Sequence, residues 1–124
     1  MDIKEYDIRI PKMDYKIISL SVLENGVLTK LNDNDLIFMT VRPFIDSKKI
    51  TFQKELGKGI TYNEDTQKYE IEINSSDTED LETNKEYGYD ITIYKNGNKP
   101  KQKVIGNFTA TTKYTLNEVV WWTI

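Results

Sequence analysis

Apolar and polar residues alternate almost one for one along much of this chain, and that period of two constrains its fold more than any other feature. Between Gly59 and Phe108 the pattern recurs. Tyr69, Ile71 and Ile73 alternate with Lys68, Glu70 and Glu72; Tyr87, Tyr89, Ile91 and Ile93 share one parity; Val104, Gly106, Phe108 and Ala110 share another on the return. Successive side chains of a strand point to opposite faces, so this spacing describes strands with one buried and one wet side. Helical signals are weak, because Ala110 is the only alanine and β-branched and aromatic residues crowd the apolar runs. The exception is Ser75 to Leu81, which predicts one short helical turn near 75–82. Ser75 or Ser76 would cap it, acids sit early where the helix dipole favours them, and Leu81 would plug one end of the core.

The remaining segments follow the same logic. Tyr6, Ile8 and Ile10 predict a strand that Pro11 closes, and Ile18, Leu20 and Val22 predict a second. Glu24-Asn25-Gly26, Asn32-Asp33-Asn34-Asp35, Asn63-Glu64-Asp65 and Asn96-Gly97 predict reversals, since Asn and Gly accept the positive φ of tight turns. Leu36 to Val41 is apolar at both parities, which predicts a central strand covered on two sides. Pro43 should end its pairing, Ile50 and Phe52 resume a strand, and Gly57 and Gly59 break the chain. About seven or eight short antiparallel strands with turns at this spacing predict an all-β chain, an immunoglobulin-like β-sandwich, with a partly closed barrel as the alternative. One sandwich domain over residues 1–116 is expected, followed by an apolar carboxyl-terminal tail over 117–124.

What the chain lacks narrows its chemistry. It has 124 residues, 38% of them hydrophobic, enough for one core that buries roughly two-thirds of the unfolded surface. There is no Cys, hence no disulfide framework and no thiol nucleophile, and no His, hence no Ser-His-Asp triad and no conventional zinc site. The net charge of -3, with lysines scattered among acids, argues against nucleic acid as a partner. No window approaches the roughly 18 to 20 apolar residues of a membrane helix. The first residues lack a signal peptide's apolar stretch, which predicts synthesis and folding in a cytoplasm.

Three groups of residues invite a functional reading. Carboxylates cluster at Asp33/Asp35, Glu64/Asp65 and Asp77/Glu79/Asp80/Glu82, where turn chemistry competes with acid/base catalysis and, at the first and last, with calcium binding. Neither calcium candidate has the Gly and terminal Glu of an EF-hand loop. Tyrosines suggest a sugar platform; Tyr87 and Tyr89 are in phase with Ile91 and Ile93 and belong to the core, which leaves Tyr62 and Tyr94 as the better-exposed candidates. The tail segment Val119, Val120, Trp121 and Trp122 is the expected partner contact, because an extended apolar segment can add a strand to a sheet edge. Folding back on its own domain is the competing expectation.

In order along the chain, Leu36 to Pro43, Gly59 to Ile73, Asp77 to Leu81, Tyr87-Gly88-Tyr89-Asp90-Ile91 and Gly106-Asn107-Phe108-Thr109 together resemble a known family. It is the small β-sandwich domain at the amino terminus of phage baseplate upper proteins and in related short phage structural proteins, and the likeness spans roughly residues 15 to 113. The resemblance implies a non-enzymatic structural component of a phage or prophage particle, in the tail, baseplate or neck. It would be assembled in the bacterial cytoplasm and carried in the virion. Its partners would be other virion proteins, with a homo-oligomer left open; no cofactor or catalytic residue is carried over. A carbohydrate-binding or adhesive sandwich module is the alternative.

Overall fold

The computed structural model describes residues 2–96, 99–112 and 121–123, and in it the chain is all-β and strand-dominated. The strands are β1 (Asp2–Glu5), β2 (Ile8–Pro11), β3 (Lys16–Ser21), β4 (Leu23–Glu24), β5 (Val27–Leu28), β6 (Leu36–Arg42), β7 (Phe52–Leu56), β8 (Gly59–Asn63) and β9 (Lys68–Ile73). The short helix α1 (Ser75–Thr78) follows, then β10 (Glu86–Lys95), β11 (Lys99–Thr111) and β12 (Trp121–Thr123). Apart from the small β4–β5 hairpin, whose turn residues Asn25 and Gly26 both have positive φ, the strands join one mixed sheet. Its order is β1-β11-β10-β6-β7-β8-β9-β3-β12, with β2 also on β11.

The sheet is mixed where antiparallel pairing was expected throughout. β1 and β2 run parallel to β11, β7 parallel to β8, and β12 parallel to β3. Alternation of side chains is the same whichever way the neighbouring strand runs, so parity carries no information about strand direction. The β7–β8 pair shows how a parallel neighbour arises locally. Gly57 and Gly59, at φ 92° and 94°, jog the chain sideways, and it resumes in the same direction with Glu55 opposite Gly59.

The sheet curls around one core built from the expected parities. Ile8 and Ile10, Ile18 and Leu20, Ile37, Met39 and Val41, and Tyr69, Ile71 and Ile73 are all buried in it, as are Tyr87 to Ile93 at odd positions. Phe52 on β7 and Phe108 on β11 meet edge to face at 5.6 Å between ring centroids, although two strands separate theirs in the sheet order. A flat sheet would hold them about 14 Å apart, so the ring contact measures the curl.

Two corners lock this curl. Between β1 and β2 the chain crosses β11 at Gly106, so closely that a Cβ there would lie 1.6 Å from the Tyr6 carbonyl oxygen. The Ile105 carbonyl accepts the Tyr6 N–H at 2.9 Å, and the buried Tyr89 hydroxyl donates to the Tyr6 carbonyl at 2.7 Å. Burial above all, with Asp7 and Tyr6 adding, pushes the Tyr89 hydroxyl well above its ordinary pKa, so it remains a donor. At the second corner α1 forms where a helical turn was expected, but Asn74 is its N-cap rather than Ser75 or Ser76. The Asp77 carboxylate accepts the Asn74 N–H at 2.7 Å and pairs with Lys54 on β7, also at 2.7 Å. Leu81 is buried as the plug, and the Tyr87 hydroxyl accepts the Glu82 backbone N–H at 2.9 Å.

Candidate functional site

The most structured concavity lies on the outer face of β6, β7, β10 and β11. Strand parity builds it. With Ile37, Met39 and Val41 turned to the core, Leu36, Phe38, Thr40 and Arg42 must point the other way; with Tyr89, Ile91 and Ile93 inside, Asp90, Thr92 and Tyr94 are outside. Antiparallel register sets Thr40 opposite Asp90, Phe38 opposite Thr92 and Leu36 opposite Tyr94, while Gln53 on β7 stands opposite Thr40. These side chains line a hollow of about 380 Å³. A second hollow of about 580 Å³ shares Arg42, Asp90 and Tyr94 and continues toward Lys103 and Ile105 on β11 and toward Ile45, Asp46 and Ser47. Leu36 to Val41 is therefore not covered on two sides as expected. Its outer parity is the floor of a groove.

Each end of the groove has a structural cause. At one end Phe38 and Tyr94 pack edge to face, with centroids 5.9 Å apart and planes at 79°. The β10–β11 register shifts between Ile93 and Tyr94, where Lys101 of β11 is the extra residue, while Tyr94 keeps its regular place opposite Leu36 of β6. At the other end the loop after Pro43 lies flat on Gly88, where a Cβ would meet the Ile45 backbone nitrogen at 2.3 Å. Only glycine allows that approach. The floor between is polar and cross-linked: Asp90 takes Arg42 at 3.3 Å, Lys103 at 3.5 Å and the Thr92 hydroxyl at 3.1 Å, and the Gln53 amide donates to Thr40 at 2.9 Å.

Three of the carboxylates singled out in the sequence, Asp35, Glu64 and Asp77, are held in ion pairs. Asp35, whose side chain is wholly buried, accepts the backbone N–H groups of Asn32 at 2.9 Å and Asn96 at 3.1 Å and pairs with Lys95 at 3.0 Å. Burial alone would raise its pKa, but the two N–H donors and Lys95 outweigh burial and hold the carboxyl below its ordinary value. The bond to Asp35 chiefly, and a second to Glu24, raise Lys95 in turn. Glu64 pairs with Lys30 at 2.9 Å on the surface, and Asp77 is taken by Asn74 and Lys54. Among the described residues no three carboxylates gather as a metal-ligand set.

The tyrosines divide as their phase predicts. Tyr87 and Tyr89 are core residues, with 6% and 0% exposure. Tyr62 is half-buried against Tyr69 at 4.9 Å, with the Lys30 ammonium 5.0 Å from its ring centre, whereas Tyr94 stands in the groove. In the tail, Val119 and Val120 lie outside the described residues. The backbone of Trp121 and Trp122 belongs to β12, opposite Ser19 and Leu20 of β3 in the same chain. Arg42, Gln53, Asp90 and Lys103 were missed as site residues. The even parity of β10 and of β6 marks Asp90 and Arg42 as outward-facing, whereas Gln53 and Lys103 lie on β7 and β11 and join them only through strand pairing. No described helix is long and apolar enough to cross a membrane.

The sequence matches no protein-family model and no curated protein.

Proposed function

We propose that this chain is a non-enzymatic structural component of a phage or prophage particle, in the tail, baseplate or neck, acting through protein–protein contacts on an immunoglobulin-like β-sandwich. The strand order supports the sandwich. If the curled sheet is divided at the β7–β8 jog, β11-β10-β6-β7 forms one layer and β8-β9-β3 the other, with the first strand of the chain parallel to the last strand of the first layer. The Tyr87 hydroxyl bonded back to the Glu82 N–H, at the entry to β10 after α1, is similar to the tyrosine corner of such sandwiches and supports the same reading.

The observation that carries the assembly role is the loop on Gly88. Phe44 and Ile45 are 62% and 43% exposed where the backbone is pressed against Gly88 of β10, so two apolar side chains are presented on a fixed base, and Ile50, 48% exposed, follows before β7. Exposed apolar side chains grouped in this way mark protein contacts. The tail at Val119 to Trp122 is the second contact in this reading: the Trp121–Trp122 backbone pairs with β3 at the end of the sheet, and its outer edge would be offered to other virion proteins or to another copy. The test is mass spectrometry and cryo-electron microscopy of particles induced from the host. The wild-type chain should be found in purified virions, and Phe44→Ser with Ile50→Ser, or deletion of 117–124, should deplete a still-folded chain from them. Its absence from virions would end the proposal.

A further inference from the structure

We propose that the outer-face groove binds a neutral saccharide, a role beyond that of assembly and independent of it. Five observations converge on that ligand class. The half-buried Tyr94 ring, held opposite Leu36 by the β6–β10 register and braced nearly at right angles by Phe38, supplies an apolar face at one end of an open hollow. Sugar rings present an apolar face of C–H groups, and aromatic rings pack against such surfaces with their polar edge left wet. The floor mixes donors and acceptors at short range. Arg42 offers guanidinium N–H groups beside the Asp90 carboxylate at 3.3 Å, and Gln53 lies across from them. Adjacent hydroxyls on a sugar each donate and accept, so a paired donor and acceptor fit them better than either alone.

Charge narrows the choice further. Arg42 and Lys103 are balanced by Asp90 and Asp46 along the two joined hollows, so neither a phosphorylated nor a cationic ligand finds a net field. Backbone pairing narrows it again. β10 is paired on both sides by β6 and β11, and β6 by β10 and β7, so the floor has no free strand edge to which a peptide could add. A ligand there must be read by side chains. The volume, about 380 Å³ in the aromatic part alone, lies within the roughly 300–1,000 Å³ of small-molecule sites.

The experiment screens the purified full chain on an array of neutral and acidic glycans. It then titrates the ¹⁵N-labelled protein with cellobiose, maltotriose, chitotriose and lactose. At least one neutral glycan should bind, with shifts confined to the amides of β6, β7, β10 and β11 that carry the groove. Tyr94→Ala should weaken binding at least about tenfold while Tyr94→Phe stays within about threefold, and the affinity should change less than about twofold between low and moderate salt. Matching melting curves for the variants separate lost binding from lost fold. The proposal fails if no neutral glycan binds at about 10 mM, if only acidic glycans bind with a steep salt dependence, or if Tyr94→Ala binds as the parent does. Presence in or absence from virions does not bear on any of these outcomes.

Discussion

The two faces of β6 and β10 share one backbone ladder and differ in everything else. On the inner face Ile37, Met39, Val41, Tyr89, Ile91 and Ile93 are 0–1% exposed and exclude water. On the outer face Phe38, Thr40, Arg42, Asp90, Thr92 and Tyr94 line an open groove, where Asp90 bonds Arg42 and Thr92, and Thr40 accepts from Gln53. The inner face gains stability from burial; on the outer face Thr40 and Thr92 are buried and hydrogen-bonded in the floor, while the groove above them stays open. Side-chain parity thus separates what holds the domain together from what it can present. Substitutions on the two faces should have different consequences although they sit one residue apart.

The largest expected effect tests the inner face. Ile91→Ala should destabilise by about 2–5 kcal/mol in urea denaturation, since a fully buried branched side chain leaves a cavity behind. Gly106→Ala should cost about 1–3 kcal/mol, because the added methyl displaces the Tyr6 carbonyl and pushes the amino-terminal strands off β11. Faster hydrogen exchange confined to β1 and β2 is the local readout.

The next test lies at the edge of both faces, where Asp35 ties the Asn32 turn to the end of β10. Its pKa is lowered in the folded state, so the stability it contributes is present above its unfolded value and is lost as pH falls through its folded one. Asp35→Asn should therefore lower the melting temperature near neutral pH and flatten its decline between about pH 5 and pH 2. A variant that retains the parent's acid profile would show that Asp35 is not the group responsible. Tyr89→Phe should cost about 1 kcal/mol by removing the donor to Tyr6 while the ring stays packed. Smallest of all is Tyr94→Ala on the outer face, at or below about 1 kcal/mol in denaturation. If it matched Ile91→Ala, the contrast between the faces would be broken.

Much of the fold was legible in the residues. The parities at Ile18/Leu20/Val22, Tyr69/Ile71/Ile73 and Tyr87 to Ile93 correspond to buried faces, the helical turn stands before Leu81, and Asn25-Gly26 makes its reversal. The groove was less legible. Leu36 to Val41 reads as apolar at both parities, and sequence alone does not tell a second covered face from a hollow floored with Phe38 and Thr40. Asp90 and Arg42 are 48 positions apart, and nothing local to either announces the other.

By itself the sequence determined that this chain is built from strands, where most of them turn, and, for the strands that alternate cleanly, which side faces water. It also excluded thiol and histidine chemistry. These are properties of neighbouring residues, set by the two-residue repeat of an extended backbone and by the side chains available. Tertiary structure alone decided which strands run parallel, how far the sheet curls, and that Arg42, Gln53, Asp90, Tyr94 and Lys103 share one groove. Those depend on partners tens of residues away, and alternation is blind to both the identity and the direction of the strand beside it.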